Sequence, residues 1–411
     1  MPSNYKRLGD YIQEINIRNR DLSNIPLLGV SIKKVLIPSI ANIIGTDMST
    51  YKLIKKNQLA YGPVTSRNGD KISLALLEKY DAAMVSQAYT VFEVIDKREL
   101  LPEYLMMWFK RPEFDRYARF MSHGSAREIF SWTEMCETLL PIPTTEKQLE
   151  IVREYNTIQN RIALNNQLIS KLEETAQAIY KQWFVNFEFP DENGKPYKSN
   201  GGKMVWCEEL EKEIPEGWEL KNIGNVVETL GGGTPSTDEF DYWENGDVLW
   251  FSPTDLTKGN SIFLNDTDKK ITKLGLQKSS AKLFPKFSLL MTSRATIGKL
   301  AINTVEASTN QGFIVLLPNE KYSIYYLYDW IKTQLEEINN LASGSTFLEI
   351  SKSDFRNLKI LEPRESVSIH YDAKIKIVFE NIKLKNIKNQ KLEELKDLLL
   401  AKMTRVEIEK I

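Results

Sequence analysis

The tetrapeptide KLEE occurs at Lys171–Glu174 and again at Lys391–Glu394, an offset of 220 residues. The same offset aligns GSAREIFSWTEMCETLLPIP (124–143) with GSTFLEISKSDFRNLKILEP (344–363) without a gap, so the two copies belong to something larger. Upstream the correspondence continues with small drifts. TSR at 65–67 answers TSR at 292–294, SQAY at 86–89 answers NQGF at 310–313, and WFK at 108–110 answers WIK at 330–332. One short match is noise, but an ordered series is a duplication. A period this long means two tandem domains, because solenoid repeats span only about 20–50 residues.

Each copy closes with a heptad-patterned helix. Ile151, Tyr155, Ile158, Ile162, Ile169, Leu172, Ala176, Ile179 and Trp183 recur in alternating steps of four and three, with Asn165 at the one polar position. In the second copy Tyr371, Ile375, Val378, Ile382, Leu392, Leu399 and Met403 keep the frame, interrupted by Lys385, Asn389 and Lys396. Such a stripe can lie on its own domain's core. Two stripes in one frame favour pairing of the helices with each other, and the polar seam positions would then fix register at a cost in stability. Roughly 33 helical residues at about 1.5 Å each give a rod of about 50 Å. An antiparallel pairing would put one globular part at each end, related by a pseudo-two-fold axis.

The expected fold class is α+β. A mixed α/β domain covers 1–150, a long helix 151–187, an exposed linker rich in Gly, Asn, Lys and Pro 188–214, a second mixed domain 215–367 and a second long helix 368–411. Within the domains, YTVFEVI (89–95) and QGFIVLLP (311–318) read as strands, and amphipathic helices are expected at about Pro102–Arg119 and Ile324–Leu341.

Composition narrows the function classes. With 411 residues, 42% of them hydrophobic, the chain has material for real cores, and its net charge of −1 argues against a protein that coats nucleic acid. Cys136 and Cys207 lie far apart, which excludes a disulfide scaffold or thiolate metal site and suits the reducing cytosol. The opening MPSNYKRLGDYIQ lacks the apolar core of a signal peptide, and no apolar run of about 18 residues suggests a membrane span. A cytoplasmic protein is expected. Its two histidines, His123 and His370, have no metal-ligand spacing around them. GGGTPS (231–236) lacks the following Lys-Ser/Thr of a phosphate loop and reads as a turn. No hydrolase, protease or amino-methyltransferase motif occurs either. The expectation is therefore a chain without catalytic residues, metal or cofactor of its own.

Charge placement points further. Residues 1–71 hold eleven Lys/Arg against five Asp/Glu, and residues 258–300 hold nine against two. Lys-rich runs are usually solvated faces. Their recurrence at equivalent places in both repeats favours contact with a phosphate backbone, with Arg18, Arg20, Lys33, Lys34 and Lys71 as candidates in the first half and Lys258, Lys273, Lys278 and Lys299 in the second. Arg67 and Arg294 can each bond the O6/N7 edge of guanine, worth roughly 1–3 kcal/mol of discrimination, or can hold a buried carboxylate. Gln87 and Gln311 can read adenine by the same two-bond geometry. Gly124-Ser125 and Gly344-Ser345 look like tight turns whose N–H groups bind phosphate or cap a helix.

The order of these features resembles the specificity subunit of type I restriction–modification systems. The resemblance rests on GS…LLPIP…EKQLEIV, KLEETAQAIYKQWFVNFEFP, the linker DENGKPYKSNGGKMVW, IPEGW, and TSRATIGKLAI followed by TNQGF, and it spans essentially the whole chain. It implies two target-recognition domains, each reading one half of a split double-stranded DNA site. It also implies an antiparallel coiled coil that sets the unread gap, with Ile158, Ile162, Asn165, Ile169, Leu172, Val378, Ile382, Leu392 and Leu399 in its seam. Two methyltransferase subunits carrying S-adenosylmethionine would dock on the coil. Restriction subunits using ATP and magnesium would join them. Thr65, Ser66, Arg67, Thr292, Ser293, Arg294, Thr296, Ile297, Gly298, Lys299, Asn310 and Gln311 fall on segments expected to face DNA, with Ser125 and Ser345 at the turns. The first domain departs from the pattern after its TSR, and the second copy lacks the EKQ of the first. Two other classes remain: a coiled-coil adaptor without DNA readout, and a DNA-modifying enzyme in its own right.

Overall fold

The computed structural model describes residues 5–22, 24–39, 45–66, 68–69, 71–124, 127–258, 261–344 and 346–403. Two compact units emerge: Met1–Ile162 with Gln390–Ile411, and Ala163–Asn389. The first long helix runs Thr145–Tyr180 and widens into a π turn over Lys181–Val185, and the second runs Glu365–Lys402. Both start ahead of the boundaries expected at 151 and 368. Each unit thus combines one globular part with a piece of both long helices.

In the first unit, strands Ile12–Ile15, Thr90–Val94, Leu59–Tyr61 and Leu74–Leu76 form an antiparallel sheet in that order. A second sheet has the order Leu36–Pro38, Leu27–Val30, Ala82–Val85, Lys52–Lys55, with one parallel pair at its centre. Strand Tyr5–Arg7 pairs with Leu139–Pro141. The second unit repeats this plan. Glu228–Gly231, Phe313–Leu317, Leu289–Thr292 and Leu300–Asn303 take the same order, with Phe263–Leu264 added at the edge. Val248–Phe251 pairs parallel with Ser308–Thr309, and Glu219–Asn222 pairs with Lys359–Glu362.

Strand period explains the long apolar runs. Neighbouring side chains point to opposite faces of a sheet, and here both faces are covered. Leu289, Met291, Ile314 and Leu316 join the large core that includes helix Ile324–Leu341, while Leu290, Phe313 and Val315 face a second core with Phe251 and Phe284. The first unit divides likewise: Leu59, Tyr61 and Phe92 face one core, Ala60 and Val91 the other.

Helix Ile324–Leu341 matches its expected span, capped by Ser323, whose hydroxyl accepts the Tyr326 N–H at 3.2 Å. Its counterpart does not form one helix over 102–119. It breaks into Pro102–Phe109 and Pro112–Phe120, because Pro112 drives Arg111 to φ −70°, ψ 136°. The 188–214 stretch is also more structured than an exposed loop. Phe189 stacks between Tyr197 and Trp218, and Met204–Cys207 forms a hairpin with Lys212–Pro215.

Within the second unit the long-helix segments lie side by side in opposite directions. Asn165 Nδ2–H donates to Asn389 Oδ1 at 2.8 Å, Asn389 Nδ2–H donates to Asn166 Oδ1 at 2.8 Å, and Trp183 packs on Tyr371 at 5.8 Å. Both segments also grip the domain helix through Asp329, which is fully buried. The Tyr371 hydroxyl donates to Asp329 Oδ2 at 2.7 Å and Gln177 Nε2–H donates to Oδ1 at 2.5 Å.

Burial raises the Asp329 carboxyl to about 7, against the pull of the bonds from Tyr371 and Gln177. The unfolded chain releases this proton near the ordinary value of about 4, so between about pH 4 and 7 the folded state holds the extra proton. That stabilisation is fully present below about pH 4 and is lost as pH rises to 7. Denaturant titrations at pH 5 and 8 are expected to show the protein less stable at pH 8, by up to about 3 kcal/mol from this group. Asp329→Asn is expected to abolish that difference; a variant with the parental pH dependence would refute the assignment.

Candidate nucleic-acid interface

The clearest functional geometry is a turn present in both units. Asn310 Oδ1 accepts the Gly312 N–H at 2.9 Å, and Ser86 Oγ accepts the Ala88 N–H at 3.3 Å. Each bond closes a short side-chain-to-backbone turn between the parallel-paired strand and the central strand that follows. The residue at the apex is Gln311 in one unit and Gln87 in the other, both exposed. Here the structure brings two sequence candidates to one equivalent place.

A second repeated feature is the tight turn at Gly124 and Gly344, with φ +134° and +142°. His123 and Ile129 exchange backbone hydrogen bonds across it, as do Ser343 and Glu349. Ser131 and Ser351 then cap the next short helix through the N–H groups of Glu134 and Asp354. These turns locate the TSR segments. Phe130 N–H donates to Pro63 O, as Ile350 N–H does to Ser293 O; Thr65 N–H donates to Glu128 O, as Ala295 N–H does to Leu348 O. Val64 therefore occupies the place of Arg294, and Thr65 that of Ala295. The two TSR triplets are three residues out of structural register, so Arg67 is not the counterpart of Arg294.

Several expected DNA contacts have structural roles instead. Lys34 is buried, pairs with Asp115 at 2.7 Å, donates to the Phe109 carbonyl and lies over the Phe114 ring. Burial pulls its ammonium below the usual lysine value, against the attraction of Asp115. Thr65 is buried, its hydroxyl bonded to Ser122 Oγ at 2.9 Å. Thr292 is buried, accepting the Lys299 N–H at 3.0 Å and donating to the Thr296 carbonyl. Ser293 is also buried. For Lys34, Thr65 and Thr292 the polar or charged side chain satisfies the fold's own groups, which no local sequence pattern reveals.

The other candidates are accessible. Arg20, Lys33, Ser66 and Lys71 are exposed, and Arg18 is half-buried with its guanidinium donating to the Thr50 carbonyl at 2.5 Å. In the second unit Lys273, Lys278, Thr296 and Lys299 are exposed and Asn310 is half-buried. Arg294 is also exposed, loosely paired with Glu349 at 3.8 Å and 6.0 Å from the Phe347 ring centre. Such a guanidinium is free to exchange partners. Arg67, Ser125 and Ser345 lie outside the described residues, and of Lys258 only its place at the end of helix Pro253–Lys258 is described.

Along the helix seam, Ile158, Ile162, Asn165 and Ile169 are buried and Leu172 is half-buried. Ile382 is buried, while Val378, Leu392 and Leu399 are only half-buried. Phe379 and Leu400 are the buried neighbours of Val378 and Leu399. Phe379 turns toward the domain, against Tyr325 and Tyr328. Among the described residues no group of three or more His, Cys, Asp or Glu is placed to hold a metal ion. No helix among them is long and apolar enough to cross a membrane.

Two like domains, each setting a glutamine at the same exposed turn, define a tandem recognition protein. Residues 23–174 and 215–397 match the model of the type I restriction modification DNA specificity domain, and the chain belongs to that family. It is 24% identical to the HindI type I restriction enzyme specificity subunit of Haemophilus influenzae, over 91% of this chain and 92% of that one. It is 35% identical to the MjaIX specificity subunit of Methanocaldococcus jannaschii over a shorter region, 39% of this chain and 38% of the other. The crystal structure of a type I restriction–modification S subunit from M. genitalium shares the fold, with TM-score 0.53 and 12% identity over 97% of this chain and 95% of that one. The chain is accordingly a DNA sequence-recognition subunit of a type I restriction–modification system, with a recognition role rather than a catalytic one.

The adjacent lysines provide a direct check on this sorting. Lys34→Ala leaves the Asp115 carboxylate buried with the Ile72 N–H but without its ion-pair partner, and is expected to destabilise the fold by about 3–5 kcal/mol. Lys33→Ala is expected to leave the melting temperature unchanged. Thermal denaturation of the two variants decides it, and equal melting temperatures would remove Lys34 from the structural set.

Proposed function

We propose that each domain reads one half of a bipartite, asymmetric double-stranded DNA site. The long helices pair as an antiparallel coiled coil whose length sets the unread spacer and which docks two methyltransferase subunits. Those subunits carry S-adenosylmethionine and methylate adenine at N6. Restriction subunits, using ATP and magnesium, add cleavage, and the complex works in the cytoplasm. The observation that carries this reading is the duplicated topology with Gln87 and Gln311 at one equivalent turn. Repeated scaffolds bearing different loops suit an unlike pair of half-sites. Support for the coil comes from the opposed helix segments of the second unit, joined by Asn165, Asn166 and Asn389. A polar group in a seam costs stability but specifies register.

Inserting one heptad, about 10 Å of helix, at matched positions in both long helices is expected to lengthen the spacer by about three base pairs. Mapping methylated adenines in cells carrying the complex reads this directly, and an unchanged spacer would rule out the coil as ruler. Arg294→Glu is expected to weaken site methylation strongly, whereas an adaptor without DNA readout would keep full activity. Affinity for DNA is expected to fall steeply with salt, as phosphate contacts require.

A further inference from the structure

The GGGTPS stretch (231–236), which sequence reading treats as a turn, is built around the turn that carries Gln311. A Cβ on Gly232 would meet the carbonyl oxygens of Asn310 and Thr309 at 2.0 and 2.3 Å, and one on Gly233 would meet Ser280 Oγ at 2.1 Å. Only glycine allows backbone to pass this closely. The segment before Thr234 is therefore clamped between Thr309–Asn310 and Ser280–Ala281. Two indoles hold it further: Trp250 Nε1–H donates to the Gly233 carbonyl and Trp243 Nε1–H to the Ser236 carbonyl, each at 2.9 Å. From this fixed segment the exposed Thr234 hydroxyl donates to Gln311 Oε1 at 2.7 Å.

We propose that Thr234 is a positioning residue for base readout, fixing the amide of Gln311 so that it presents one donor and one acceptor to an adenine edge. The Thr234 hydroxyl can donate to the amide oxygen or, after a flip, accept from the amide NH2, and in either state it tethers the end of the side chain and leaves one donor and one acceptor free. The Thr234 bond occupies one lone pair of Oε1. It leaves the second lone pair and the NH2 group of this exposed side chain without a partner among the described residues. That donor–acceptor pair matches N7 and N6–H2 of adenine and mismatches guanine, whose N7 and O6 both accept. Ser280–Ala281, the wall against which Gly233 rests, lies between the exposed lysines Lys278 and Lys282, whose charge suits the phosphates flanking a read base. The first domain offers Gln87 at the same apex, but among the described residues no hydroxyl holds its amide. The device belongs to the second domain.

This inference rests on the DNA-reading function proposed above, and one experiment separates the two. The full chain, its Thr234→Val and Thr234→Ser variants and Gln311→Ala are each co-expressed with the methyltransferase subunits. Methylated adenines are then mapped across the host chromosome, and the melting temperature of each purified chain is measured. Thr234→Val is expected to relax one position of one half-site, raising methylation at sites with the wrong base there roughly tenfold. Gln311→Ala is expected to relax the same position, and Thr234→Ser, which keeps the hydroxyl, to restore the parental motif, with melting temperatures unchanged. A parental motif in Thr234→Val overturns the proposal. So does a general loss of methylation accompanied by a lowered melting temperature, which would mark a merely structural role. Absence of any bipartite motif with the unsubstituted chain would sink the DNA-reading function itself.

Discussion

Neither long helix can bury its apolar seam alone. Helices of 36 and 38 residues gain little from intrinsic propensity and depend on packing of one face. In the second unit that packing comes from two sources at once. Ile169, Ala176, Tyr180 and Trp183 of the first helix share a core with Tyr371, Ile375 and Ile382 of the second, and with the domain helix Ile324–Leu341. In the first unit Ile151, Val152 and Tyr155 share a core with Leu400 and Met403. Each unit is therefore completed by residues from both ends of the chain's helical set. Truncating either helix would open both its seam and a domain core.

Duplication on such a scaffold separates conserved geometry from variable contact. The strand registers are kept: Leu59 faces Phe92 as Leu289 faces Leu316. The hairpin after this strand is not. The Gly62 N–H reaches Ser73 O, whereas the equivalent Thr292 N–H reaches Lys299 O, so the first domain has a longer loop. Loops carried on a rigid sheet can change without disturbing the core beneath. Two unlike readers on like frames are what an asymmetric site requires.

Most of the architecture was legible because it rests on periodicity. The heptad steps from Ile151 to Trp183, the offset of 220 and the span of Ile324–Leu341 all report burial patterns that recur along the chain. The misreadings have a common cause in contacts distant in sequence. Lys33 and Lys34 look alike until Asp115 is placed beneath one of them. The identical TSR triplets suggested equivalence, yet hydrogen-bond register sets Val64 opposite Arg294's place. Triplet identity carries less information than the pairing to Glu128 and Leu348. The break at Pro112 is different, since the proline was visible and its effect on Arg111 follows from local sterics.

Thr234 shows where local reading stops. Three consecutive glycines signal close approach of backbone, but not what approaches. Here the neighbours are Thr309–Asn310 and Ser280–Ala281, from two different parts of the second domain. An exposed hydrogen bond such as that from Thr234 to Gln311 contributes little to stability while water competes for both partners. Its significance changes once a ligand covers it. Water then leaves, the local dielectric falls, and an amide already tethered in place needs less reorganisation to pair with a base edge. A weak surface bond can in this way govern specificity without measurably governing the fold.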